Sequence, residues 1–345
     1  MMSSAFVGRE VPSPLLRYGR IVSAARRLVL PMLVVCAFAP VRVSLAAEDD
    51  AKNLLARMYA SVGSLDYQGS FIYARNSRID TLRIFHAGGE GAERERLLST
   101  SGARNEIVRS GDSITLMQQD SPAVILPNPG GARLLPLVPE TRGERFDTYY
   151  RVEVGGDDRV AGYRARVVDI VPRDGWRYGY RLWLEDSTGM PLRSAVVDAR
   201  KRPLEQFMFV ALELGAKPRE SDLAPAAAAD TTAPPVETPL EGGPRWRLVD
   251  PPPGYRFLRV QRSPQDVAHG EHLTYSDGLA NVSIYVEPHD GAATVPPDRF
   301  TARGVLGICV HDTDAWRVTV LGDVPRATAE RMALSVRASV PTAGR

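Results

Sequence analysis

The chain is poor in the residues that supply covalent and metal chemistry: its 345 residues include two cysteines and five histidines. Cys36 falls in an apolar N-terminal segment, which leaves Cys309 alone in the remainder. One thiol closes no internal disulfide, so folding must rest on burial of a core, and the apolar setting "VLGICV" predicts that Cys309 is itself buried. Lysine is scarcer still, with Lys52, Lys201 and Lys217 set against forty arginines. A GC-rich genome explains that imbalance without forty selected guanidinium contacts. No G-x-S-x-G elbow, phosphate loop ending in G-K-S/T, or H-E-x-x-H occurs. With these motifs go the common serine hydrolases, P-loop nucleotide enzymes and zinc proteases. The sequence predicts no enzyme, no catalytic residue and no cofactor.

What is present begins with a targeting pattern. Arg26 and Arg27 precede an apolar run from Leu28 to Val35, and small residues Ser44 and Ala46 close it. This order predicts a secretory signal over residues 1–46, cleaved after Ala46. Pro31 and Pro40 leave the run too short for a comfortable membrane span. Loss of that segment removes six arginines and one glutamate, turning the formal charge from +2 to −3. A surface that condenses on phosphate backbones is therefore not expected, nor is a nucleic-acid partner. The remaining length, with 44% hydrophobic and 24% charged residues, suffices for two domains with separate cores.

After the signal, "EDDAKNLLARMYASVG" places Leu54, Leu55, Met58 and Val62 on one helical face, with Gly63 just past the end. From Tyr67 to about Leu214 short β-type runs alternate with turns and no helices intervene, which predicts an antiparallel meander or open barrel. A Pro/Gly-rich apolar interruption, "DSPAVILPNPGGARLLPLVPETRGE", reads as a mobile loop at the mouth of the sheet. Residues 217–244 form an Ala/Pro-rich tract expected to be an extended linker. Four or five further strands and a closing helix, with Ala329, Met332, Ala333 and Val336 on one face, complete a smaller α+β domain. The expected division is 1–46 signal, 47–216 β-barrel domain, 217–244 linker and 245–342 α+β domain.

Candidate polar sites are weak. In "HGEH", His269 and His272 lack helical surroundings that would aim both at one metal. In "HDTDAW", His311, Asp312 and Asp314 are spaced like a polar turn. Glu93 and Glu95 share a strand face, but with Arg94 and Arg96 alternating a charged outer face accounts for all four. No metal site is expected. The stretch "RDGWRYGYRLWLEDSTGMP" (173–191) mixes aromatics with arginines. Strand alternation puts Trp176, Tyr178, Tyr180, Leu182 and Leu184 on one face and Arg177, Arg181 and Glu185 on the other.

Three stretches together resemble the RseB/MucB family of periplasmic regulators of envelope-stress sigma factors. They are "YQGSFIYARNSRIDTLRIFHAGGEGAERERLLSTSGARNEIVR" (67–109), "RVAGYRARVVDIVPRDGWRYGYRLWLEDSTGMPLRS" (159–194) and "RVTVLGDVPRATAERMALSV" (317–336). Small departures occur at "LLSTSG" and "LGDVP". The resemblance implies a mainly β protein whose N-terminal domain is an unclosed antiparallel β-barrel with helices, of the LolA/LolB type, followed by a smaller α+β domain. It implies a periplasmic protein that binds the periplasmic domain of an RseA/MucA-like anti-sigma factor, protects it from proteolysis, and is released by lipopolysaccharide or a related lipid-like amphiphile. A periplasmic lipid or lipoprotein carrier without a sigma-factor role is the alternative, and a homo-oligomer stays open. On such a sheet Phe71, Tyr73, Leu82, Ile84, Leu116, Tyr180, Leu182 and Leu184 fall on the inner face, where they either line a ligand cavity or pack as core.

Overall fold

The structure, a computed structural model, describes residues 43–88, 93–127, 133–135, 144–225, 231–232, 243–262, 270–289, 299–313 and 315–339. Most of the expected signal, His269 and Asp314 lie outside these residues. The first element, α1 (Val43–Ser64), carries Ala51, Leu54, Leu55, Met58 and Val62 at helical spacing, and all five are buried. It includes Gly63, expected just beyond its end, and Ala46, after which cleavage is expected. No helix among the described residues is long and apolar enough to cross a membrane.

The larger sheet is built from two meanders. The first runs β1 (Tyr67–Arg75), β2 (Arg78–Ala87), β3 (Arg94–Ser99), β4 (Asn105–Ser110), β5 (Ser113–Gln118) and β6 (Ala123–Pro127). After α2 (Glu144–Tyr149), the second runs β7 (Tyr150–Val160), β8 (Tyr163–Pro172), β9 (Gly179–Glu185), β10 (Pro191–Val197) and β11 (Pro203–Leu214). Pairing of β1 with β11 joins them into one sheet, and α3 (Glu220–Leu223) and β12 (Thr231–Thr232) follow. The order is β12-β6-β5-β4-β3-β2-β1-β11-β10-β9-β8-β7, antiparallel except at β12, and the two edges do not pair. This is the unclosed barrel that the family resemblance implied. One core joins α1 to Phe71 of β1, Ile84 of β2, Leu97 of β3 and to buried side chains of β7 through β11, so the sheet wraps its apolar face around the helix. Each of the leucines and methionine buried on α1 contributes about 1.5–3 kcal/mol relative to exposure.

The tract expected as an extended linker holds two short elements, α3 and β12. Leu223 of α3 is buried against Phe85 and Ala87 on the outer face of β2.

The second sheet comprises β14 (Arg256–Arg262), β15 (Glu271–Ser276), β16 (Asn281–Pro288), β17 (Arg299–Arg303), β18 (Leu306–Asp312) and β19 (Trp316–Gly322), preceded by β13 (Trp246–Leu248). Its order, β14-β15-β16-β19-β18-β17, brings two three-stranded meanders together at β16 and β19, where Ile284 faces Val320. On one face lies α4 (Arg326–Ser335), with Ala329, Met332 and Ala333 packed on Val282, Ile284, Val318 and Val320. The chain then leaves through β20 (Val336–Ala338), which pairs with β13. Cys309 is 2% exposed within this core, the buried thiol its apolar neighbours predicted.

Candidate functional site

A cavity of about 480 Å³ opens on the inner face of the larger sheet, toward the end of the first hairpin. Its position follows from the two-residue period. Phe71, Tyr73 and Arg75 project from β1, and Arg78, Asp80 and Leu82 from β2. Leu97 and Ser99 of β3, with Asn105 and Ile107 of β4, extend the wall. Arg133, Leu134 and Leu135 complete it from the Pro/Gly-rich segment. The floor is apolar, while Arg75, Arg78 and Arg133 supply cations. Asp80 takes the guanidinium of Arg78 at 2.9 Å. The hollow therefore combines an apolar floor with guanidinium groups at its rim.

Beside the cavity, charged groups tie the loop segment to the sheet. Arg133 Nε donates to Glu93 at 3.1 Å, and the backbone N–H of Leu134 donates to Glu95 at 3.1 Å. Arg109, 2% exposed in its side chain, pairs with Glu93 at 2.6 Å and with Glu95 at 2.7 Å. His86 lies 3.0 Å from Glu93 and stacks on Tyr67 at 4.5 Å between centroids. Burial alone would raise the Glu93 carboxyl; His86, Arg109 and Arg133 outweigh it and bring the pKa to about 2. The expectation that Glu93 and Glu95 belong to a charged outer face is thus corrected. Glu95 shares its face with Leu97, which points inward, whereas Arg94 and Arg96 bond outward to Glu220 and Glu106. The ligand atoms of His86, Glu93 and Glu95 lie within 4.8 Å of one another, but the guanidinium groups already occupy the carboxylates. His272 lies on β15 stacked on Tyr285, and Asp312 is paired with Arg317 at 2.7 Å.

The two sheets are keyed together by Arg177. Alternation had assigned this residue to an outer strand face, but β9 starts only at Gly179, and the preceding bend turns the guanidinium inward. Its side chain is 0% exposed and meets Asp277, also 0% exposed, at 2.9 Å and Asp174 at 3.0 Å. It also donates to the carbonyl of Pro253, and the rings of Tyr149 and Tyr255 lie 4.5 and 5.3 Å away. Tyr150 Oη donates to Asp277 at 2.8 Å, while the other carboxylate oxygen of Asp277 accepts from the amides of Leu279 and Ala280. Burial would lower the Arg177 pKa, yet Asp174 and Asp277 hold it above the ordinary arginine value. The Trp176 carbonyl accepts from Thr328 of α4 at 2.7 Å and from Tyr255 at 3.3 Å.

Of the eight inner-face residues predicted, Phe71, Tyr73 and Leu82 line the cavity. Ile84, Leu182 and Leu184 are fully buried in the core around α1. Leu116 is the cross-strand neighbour of Ile107, one strand beyond the lining. Tyr180 borders a separate hollow of about 140 Å³ with Asp169, Arg181 and Lys201. Sequence reasoning passed over Arg75 and Arg78, which continue the alternation of Phe71, Tyr73 and Leu82 across the "RNSR" turn. Arg133 and Arg177 carry no such local signal.

An unclosed antiparallel sheet wrapped around one helix, holding an apolar cavity and keyed to a second helix-covered sheet, defines a class of two-sheet binding proteins. Comparison with known sequences makes the assignment specific. The MucB/RseB N-terminal domain matches residues 50–227 and the MucB/RseB C-terminal domain residues 241–337. This chain belongs to the MucB/RseB family, whose members regulate sigma factors and are not enzymes. It is 36% identical to the sigma factor AlgU regulatory protein MucB of Pseudomonas aeruginosa over 84% of this chain and 91% of that protein. It is 28% identical to the sigma-E factor regulatory protein RseB of Escherichia coli K12, over 82% and 89%. Among solved structures, the Pseudomonas aeruginosa MucA/MucB complex matches with a TM-score of 0.68 and 34% identity, covering 84% of this chain and 99% of that one. MucB in complex with MucA(peri) matches with a TM-score of 0.67 at 33% identity, over 84% and 100%.

Proposed function

We propose that this protein is an exported periplasmic regulator that binds the periplasmic domain of an RseA/MucA-like anti-sigma factor. It shields that domain from proteolysis and releases it when lipopolysaccharide or a related amphiphile occupies the cavity. The observation that carries the reading is the likeness, along most of the chain, to a relative solved together with MucA. The apolar floor and arginine rim of the cavity support the amphiphile part. In this reading residues 47–216 and 245–342 act as two domains joined through 217–244, and the Arg177 cluster holds them in register.

Titration of the protein with the anti-sigma periplasmic domain, in the absence and presence of lipopolysaccharide, tests it. Binding that lipopolysaccharide weakens is expected, with reciprocal weakening of lipopolysaccharide binding by the partner. Partner affinity unchanged by lipopolysaccharide would remove the release step. Bound lipid in the purified protein with no affinity for the anti-sigma domain would favour the lipid or lipoprotein carrier instead.

A further inference from the structure

A carboxylate joins the cavity wall to the second sheet. Glu205 lies on β11 and is 8% exposed. One of its oxygens accepts the hydroxyl hydrogen of Tyr73, a cavity-lining side chain, and the other accepts the backbone N–H of Val305 at 3.0 Å. Val305 sits in the two-residue turn between β17 and β18 of the second sheet. The turn is fitted closely to this contact. Gly304 has φ +66°, and a Cβ there would lie 1.8 Å from Glu205 Oε1 and 2.6 Å from Arg75 Cγ, so only glycine brings the turn this close. Burial first, and Glu205 second, raise the Tyr73 phenol above its ordinary value, which keeps it a hydrogen donor. The Arg177 junction has no side chain on the cavity, so of these two junctions the Glu205 contact is the one that a cavity ligand can reach.

We propose that Glu205 couples the cavity to the second sheet. A ligand chain that fills the cavity as far as Tyr73 displaces the phenol hydroxyl from Glu205. A buried carboxylate that loses one of two donors is undersatisfied and seeks another. Arg75 stands directly opposite Glu205 in the β1–β11 ladder and offers one. Rotation of Glu205 toward Arg75 gives up the Val305 amide and frees the β17–β18 turn from the larger sheet. The effector is an amphiphile with an apolar chain, so the coupling rests on the cavity reading above, and it adds the residues through which occupancy is transmitted.

Hydrogen exchange at the Val305 amide, measured on the whole protein, tests the coupling in two arms. Without ligand, Tyr73→Phe and Glu205→Gln are expected to speed Val305 exchange at least tenfold while the Leu279 and Ala280 amides at the Arg177 junction stay unchanged. Exchange at the wild-type rate in Tyr73→Phe overturns the link. In the second arm the probe is lysophosphatidylglycerol, with binding followed independently by calorimetry. Bound probe is expected to speed Val305 exchange at least tenfold in the wild type and to add nothing in Glu205→Gln, where the changed side chain lies outside the cavity lining and calorimetry confirms saturation. Saturating binding with Val305 unchanged overturns the coupling and leaves the cavity reading standing. Failure of the probe to bind overturns the cavity reading and the ligand-driven step with it.

Discussion

Arg177 shows how much one buried charge can govern. Its guanidinium meets two carboxylates and a carbonyl in fixed directions, an arrangement that the fork of arginine satisfies and a single ammonium does not. Arg177→Met leaves Asp277 buried beside Tyr150 without its cation. The expected loss is about 3–5 kcal/mol in denaturant unfolding, with no recovery in Arg177→Lys. A loss below about 1 kcal/mol would show that the cluster relaxes around the gap. Glu93 gives a pH signature. Its folded pKa, about 2, lies below the ordinary value of 4.5, so it stabilises the fold above the ordinary value and loses that contribution as pH falls toward 2. Thermal melting from pH 5 downward should show a steep acid limb in the wild type and a flatter one in Glu93→Gln, since glutamine cannot titrate. Equal slopes would place the acid sensitivity elsewhere.

At the scale of elements, α1 is the plug of the unclosed sheet. Met58, fully buried, belongs to the core that joins the helix to strands of both meanders. Met58→Ala is expected to cost about 2–5 kcal/mol by equilibrium unfolding, because the strands around the helix are held by their ladders and close only partly over the space. This helix was legible in the sequence, since its apolar spacing is strict and its neighbours are polar. So were the inward Leu182 and Leu184 of β9, where the two-residue period holds. The same period failed at Arg177, because the bend at 173–178 resets direction before the strand begins. At Glu95 the period holds, setting it beside inward Leu97, but the alternating arginines gave the face an outward look. The cavity was half legible. Phe71, Tyr73 and Leu82 follow from alternation, but which inward residues meet helix and which meet space depends on where α1 stops covering the sheet. No local pattern encodes that.

For the whole molecule, the closeness of the two sheets is set by a glycine as well as by ions. Gly254 has φ +90°, and a Cβ there would lie 2.7 Å from the ring of Tyr149, whose face covers Arg177. Gly254→Ala should therefore push the second sheet away from the larger one. The measurable outcome is a single melting transition in the wild type and two in the variant by calorimetry. One unshifted transition in Gly254→Ala would mean that the ring yields and the junction survives.

The pairing of β1 with β11 also carries a consequence in time. Tyr67 faces Leu214, a closure across about 150 residues, while β2 through β5 pair only with near neighbours. The first meander can assemble early, but its innermost strand keeps an open edge until the last strand of the second arrives. Contact order of this kind makes closure slow and leaves a sticky margin while it is pending. A chain cut short before Pro203 would keep that margin permanently, and aggregation rather than a smaller soluble fold is its expected fate.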